Sequence, residues 1–254
     1  MHVLLPFSLM ALSLSVVVPI DPVERMTASA RMESLDVASA AVSGPPAICL
    51  PLEVSGRTLS WGDGGLTPPK DYPLKKLRGD LLELLESEGT LTRMENLRRA
   101  AISLGPLHRG VDVREQAVIR VEILSSLRNR ALRAMLDTEH ASYAAQCIFD
   151  LGYLQAALTQ VGGKKVSSAA EPDFGDGAAE LQYAGKASPK DGAVALGMAL
   201  GLFDMRGGRA DLAQFMHCAK LAGSDPELRK NLKTAAHHFL GQGDYDELVR
   251  SMAK

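Results

Sequence analysis

Two adjacent pairs near the end of the chain carry ligand chemistry: His217-Cys218 and His237-His238. Imidazole and thiolate are the usual donors to zinc, which takes four of them. Neighbours on a helix point about 100° apart, so each pair offers one donor to a given centre. No carboxylate is spaced to complete the shell, and the expectation is packing or surface residues, with no metal and no cofactor. The three cysteines, Cys49, Cys147 and Cys218, lie far apart without C-x-x-C spacing. Cys147 and Cys218 fall in apolar, helical surroundings, where the residue acts as a small hydrophobe.

Phosphate and nucleophile chemistry leave fainter traces. Gly62-Asp63-Gly64-Gly65 lacks the Gly-Lys-Ser/Thr ending and the following helix of a phosphate loop, so it reads as a surface turn. Gly163-Lys164 has no Walker spacing before it. There is no G-x-S-x-G elbow, no H-E-x-x-H, and no G-x-G-x-x-G after a strand. No catalytic residue is therefore assigned. The enzyme alternative is a site built from loops 105–112 and 162–187, with His108, Asp173 and Asp176 as its acids and base.

The 254 residues are 46% apolar, 23% charged and 5% aromatic, enough to bury a core. Lys and Arg total 28 against 30 Asp and Glu, a net charge of −2 that gives no global reason for a nucleic acid or anionic membrane partner. Val3 to Ile20 is largely apolar but interrupted by Pro6 and Pro19, poor material for a membrane span. With Ala28-Ser29-Ala30 as a small-x-small cleavage site, residues 1–30 read as a signal peptide, implying export to a periplasmic or extracellular space and no integral membrane span in the mature form.

Residues 31–70 are rich in Ser, Ala, Gly and Pro and read as irregular. Within them, Ile48–Val54 and Arg57–Trp61 around Ser55-Gly56 suggest a short β-hairpin. Helical periodicity begins at Leu74. Leu74, Leu77, Leu81, Leu84 and Leu85 make one stripe, and Leu91, Met94, Leu97, Ala101 and Leu104 a second. Asp112 is placed to cap a longer helix whose apolar face carries Val113, Ala117, Val121, Leu124 and Leu127. Residues 93–133 hold nine Arg against four acids, spread around their helices, which reads as a solvated surface rather than a polyanion stripe. The expectation is helical hairpins over 71–161, a polar linker or long loop over 162–187, and further helices over 188–254.

Those last residues repeat. A shift of 36 positions pairs Ser188 with Ser224, Leu196 with Leu232, Ala199 with Ala235, Phe203 with Phe239, Leu212 with Leu248 and Met216 with Met252. Each unit is a helix, a Gly-containing turn and a returning helix, which needs a neighbour to bury its apolar stripe. Gly243-Asp244-Tyr245-Asp246-Glu247-Leu248, Asp225-Pro226, and the spacing of Leu232, Ala235, Ala236 and Phe239 resemble the tetratricopeptide-repeat family. Departures are Leu248 and Leu212 where that family has a small residue, Met252 and Met216 where it has an aromatic, and the longer period. Residues 138–161 fit the same spacing loosely.

The resemblance implies an all-α fold of antiparallel helical hairpins in a short α-solenoid-like array, and a noncatalytic interaction or scaffold protein with a protein or peptide partner. It also places Lys230, Lys233 and His237, at i, i+3 and i+7, on the face that lines the family's groove. Two ammonium groups and an imidazole there suit an acidic segment or the terminal carboxylate of a peptide. Gly197 and Gly201 either widen that groove or allow close helix packing. Leu248, Val249 and Met252 on the final helix call for cover from the N-terminal segment, another protein or a second copy, hence the expectation of a homo-oligomer or other complex.

Overall fold

The computed structural model describes residues 50–60, 72–105, 112–137, 140–162, 174–203 and 212–253, all within one compact unit spanning Gly44–Lys254. The proposed signal peptide, Cys49, Gly62–Gly65, His108, Gly163-Lys164 and Asp173 lie outside the described residues. The fold is all-α. A 3-10 turn at Leu74–Lys76 leads into α1 (Leu77–Ser87), α2 (Thr90–Leu104), α3 (Val113–Leu136), α4 (Ala141–Gly162), α5 (Ala178–Ala187), α6 (Gly192–Gly201), α7 (Leu212–Ala222), α8 (Pro226–Phe239) and α9 (Gln242–Met252).

Aspartates start three of these helices by accepting otherwise unpaired backbone N–H groups. Asp112 accepts from Arg114 N–H at 2.9 Å, Asp191 from Ala193 and Val194 N–H at 2.9 and 3.0 Å, and Asp225 from Leu228 N–H at 3.0 Å. Pro226 follows Asp225 at the first helical position, where its missing N–H costs nothing.

Successive helices pack on one another, and α4 sits centrally, touching α2, α3, α5 and α6. Its middle turns are buried on nearly every side, as its apolar sequence requires. Two glycines let α5 cross it. A Cβ on Gly177 would lie 2.1 Å from the Gly152 carbonyl oxygen, and φ at Gly177 is +84°. Glycine alone satisfies both conditions.

The paired repeat positions fall on matching helices. Leu196, Ala199, Leu232 and Ala235 are buried on α6 and α8, and the Phe203 and Phe239 rings meet at 4.8 Å between centroids. Burying one such leucine contributes about 1.5–3 kcal/mol. Gly197 and Gly201 serve packing: a Cβ at Gly197 would lie 2.4 Å from Phe149 Cζ, and one at Gly201 2.6 Å from Leu181 Cδ1.

Five readings of the sequence are corrected. Residues 50–60 form no hairpin; their backbone groups bond to helix side chains in place of a second strand. The stretch read as linker contains α5, which buries Leu181 and Ala184. On α3 the expected Leu124 and Leu127 are buried, but the buried stripe continues through Ile119, Ile123 and Ala131, while Ala117 and Val121 are half-buried and Val113 is 73% exposed. Arg93 and Arg98 are fully buried rather than solvated, because each meets a buried carboxylate. The final helix also finds its cover within the chain, since Leu248 and Met252 are buried where α9 packs on α7 and α8.

Candidate functional site

Extended chain cannot satisfy its own backbone groups, so an isolated extended segment lying on helices needs side chains to do it. Residues 50–59 show how. Exposure alternates along them: Leu52 is buried, Val54, Gly56 and Thr58 are half-buried, and Glu53, Ser55 and Arg57 are exposed. This is the period of a strand with one face against a surface. Leu50 and Leu59 are buried at its ends.

The surface is supplied by α2 and α8. Glu95 Oε2 accepts the Leu52 N–H at 3.0 Å. Asn96 Oδ1 accepts the Leu59 N–H at 2.7 Å while its Nδ2 donates to the Arg57 carbonyl at 3.1 Å. Asn231 repeats the arrangement on α8, accepting the Glu53 N–H at 2.8 Å and donating to the Glu53 carbonyl at 2.7 Å. Glu227 accepts the Ser55 N–H at 3.2 Å, and Arg99 donates to the Leu59 carbonyl at 2.6 Å. At the bend the chain runs hard against α2, where a Cβ on Gly56 would lie 2.6 Å from Thr92 Oγ1.

The ledge is held rigid from behind. Glu95, with 0% of its side chain exposed, receives Arg98 Nε and Nη2 and Arg99 Nε, each at 2.7 Å. A buried carboxylate with this many donors is fixed in position and charge-compensated.

A second polar cluster lies between α1, α2, α3 and α4. Arg93 pairs with Asp150 and donates to the Leu85 carbonyl, and Arg130 donates to the same carbonyl at 3.2 Å. These two guanidiniums satisfy an unpaired carbonyl in the last turn of α1. Burial pushes the Asp150 carboxyl up, with Arg93 pulling it back. Arg130 Nε donates to the Tyr143 hydroxyl at 3.0 Å beside Cys147. Burial pushes the Cys147 thiol up despite Arg130, so it stays protonated at neutral pH and is a poor nucleophile.

Of the residues expected to bind peptide, Lys230 and Lys233 come together on the flank of α8, lining a depression of about 530 Å³ with Ser224, Pro226 and Arg229. Lys230 pairs with Glu53 of the extended segment. His237 is exposed and faces the Tyr245 ring edge-on at 5.3 Å, outside that depression. Asp176, considered for an enzyme site, accepts the Ala178 N–H at 3.0 Å at the start of α5. Among the described residues no three His, Cys, Asp or Glu side chains assemble as a metal ligand set. No described helix is long and apolar enough to cross a membrane. An apolar depression of about 410 Å³ opens between α5, α6 and α7, lined by Val194, Met198 and Leu221 with His217 at its side.

The sequence reading missed Glu95, Asn96, Glu227 and Asn231. A signal was present in the two asparagines, since Asn within a helix is unfavourable and calls for a hydrogen-bonding reason. Comparison with protein-family models, with curated proteins and with solved structures returns no match to this chain.

Proposed function

We propose that this chain is a noncatalytic protein-protein interaction or scaffold protein, and that the ledge formed by α2 and α8 is its peptide-holding surface. The observation that carries the reading is the hold on residues 50–59. Buried Asn96, Asn231 and Glu95 bond to main-chain groups of an extended segment, and bonds of that kind supply affinity without reading the side chains of what is held. Lys230 and Lys233 add a cationic flank suited to an acidic partner.

The helical hairpins α6–α7 and α8–α9, with the 36-residue spacing that relates them, support a tetratricopeptide-like repeat as the architecture behind this surface. The apolar run Val3–Ile20 and the Ala28-Ser29-Ala30 site support action after export, in a periplasmic or extracellular space.

The test is capture of native partners by the full chain and by a Lys230→Ala/Lys233→Ala variant whose folding is checked by melting. The variant is expected to lose the partners that the wild type retains. Equal capture by both, or none by either, overturns the reading.

A further inference from the structure

We propose that the groove between α5 and α7 binds an apolar monocarboxylate, its tail on Val194, Met198 and Leu221 and its carboxylate between Lys186 and His217. The site is separate from the ledge of α2 and α8 and independent of the interaction reading above.

The groove follows from the packing of α6. Both α5 and α7 lie against α6 and leave part of it open between them. Because α6 is built of Gly, Ala, Val, Leu and Met alone, the floor offers no polar side chain. Val194 is buried, and Ala195, Met198 and Leu221 are half-buried around a depression of about 410 Å³, within the size range of small-molecule sites. Gly185 has no Cβ, which lets Met198 lie directly against α5. A thioether in that position adapts its shape to an apolar guest.

The charges open to the groove are of one sign. Across α5, α6, α7 and the turn 188–191 the acids are Glu180 and Asp191. Glu180 lies on the far side of α5, against Gly152 of α4. Asp191 is committed to the start of α6: its Oδ1 accepts the Ala193 and Val194 N–H groups, its Oδ2 accepts the Thr90 hydroxyl at 3.5 Å, and its charge offsets the positive end of the helix. Against these stand Lys186, Lys190 and Lys220, all exposed, and the exposed His217. Lys186 has no ion-pair partner among the described residues.

Helix register brings two of these groups together. Gly201 meets Leu181 and Gly185 meets Met198, so α5 and α6 run antiparallel; Gly192 meets Leu221, so the start of α6 lies at the end of α7. Counting from those contacts at about 1.5 Å per residue, Lys186 and His217 both come level with Gly197, on opposite walls of the depression that they line. An ammonium and an imidazole N–H so placed supply donors to the two oxygens of one carboxylate. About one turn toward the start of α6, Val194, Ala195 and Leu221 present apolar surface to the tail.

The test is isothermal titration of octanoate and of octanol into the full chain. Octanoate is expected to bind about tenfold more tightly than octanol. Lys186→Glu is expected to weaken octanoate about tenfold and His217→Ala about threefold, with octanol binding and melting unchanged because both residues are exposed. Ala195→Phe, which fills the floor, is expected to abolish binding of both. No octanoate binding by the wild type at about 1 mM, octanol bound as tightly as octanoate, or a Lys186→Glu variant that binds octanoate as the wild type does overturns the proposal. A folded Ala195→Phe variant that still holds octanoate assigns it to another surface and overturns the site. Should that variant fail to fold, nuclear Overhauser contacts between octanoate and the Met198 methyl group of the wild type decide: their presence supports the site, and binding without them overturns it.

Discussion

Arg93 and Asp150 form a two-point ion pair sealed from water. Arg93 Nε donates to Oδ1 at 3.0 Å, Nη2 donates to Oδ2, and the side chains are 2% and 0% exposed. The pair ties α2 to the central helix α4. Breaking it by removing one partner leaves a buried uncompensated charge, so Asp150→Ala is expected to cost about 3–5 kcal/mol in urea unfolding. Arg93→Met/Asp150→Leu removes both charges together and is expected to cost less than either single change. A double variant as unstable as Asp150→Ala would refute this account.

This pair also marks the limit of what the sequence reveals. Apolar stripes at helical spacing, with Gly, Pro and Asp at the breaks, were enough to read α1, α2, α8 and α9, because an amphipathic period and a cap are local properties. Arg93, Glu95, Asn96, Arg98 and Arg99 present the same pattern of polar residues whether that side of α2 faces water or other helices. The deciding fact, that Asp150 and the segment 50–59 cover it, is a matter of tertiary contact across tens of residues. The same reason explains the shifted stripe on α3 and the missed α5, whose short apolar pattern sits behind glycines that read as loop. At the site, the lysines were legible as charge at helical spacing. The asparagines that hold the main chain were visible only as residues unfavourable within a helix, and what they hold was not, because the backbone atoms they meet lie 37 positions from Asn96 and 178 from Asn231 in sequence.

Asn231 is the second point of test. Its amide accepts from and donates to the backbone of Glu53 while its side chain is buried. Asn231→Ala leaves two main-chain groups without partners, and the expected loss is about 1–2 kcal/mol together with faster proteolytic cleavage within residues 50–60. Lys230→Ala removes only the exposed ion pair to Glu53 and is expected to change melting little. Equal protease sensitivity of the two variants would show that Asn231 does not anchor the segment.

Alkaline pH is expected to weaken the fold. Burial pushes the Cys218 thiol from its ordinary 9.0 up to about 12, and pushes the Tyr153 phenol up as well. In the unfolded chain these groups lose protons at their ordinary values, while the folded chain retains them. Between those values the unfolded state binds fewer protons, so stability falls as pH rises. The Cys218 contribution is complete below about pH 9 and is lost progressively toward about pH 12. Urea midpoints measured between about pH 8 and pH 10.5 are expected to decline, and Cys218→Ala is expected to flatten that decline. A midpoint independent of pH across this range would contradict the burial of these groups.

Two glycines on helices are expected to respond to the same substitution with opposite signs. Gly197 lies on α6 where a Cβ would meet Phe149 Cζ at 2.4 Å and Met94 Sδ at 3.3 Å, both fully buried on α4 and α2. Because the side chains it meets are fully buried in a packed interior, Gly197→Ala has to displace them and is expected to cost about 1–3 kcal/mol. Gly79 lies in the exposed first turn of α1 with nothing within 4 Å of an added Cβ. There the methyl group meets only solvent, and restricting the unfolded chain favours the helix, so Gly79→Ala is expected to stabilise by about 0.5–1 kcal/mol. Thermal melting of the two single variants reads both signs. If Gly197→Ala proves neutral, α6 is not wedged against α4 and α2 as closely as the contact with Phe149 requires, and the rigid support that α6 gives to α2 and α8 behind the ledge falls with it.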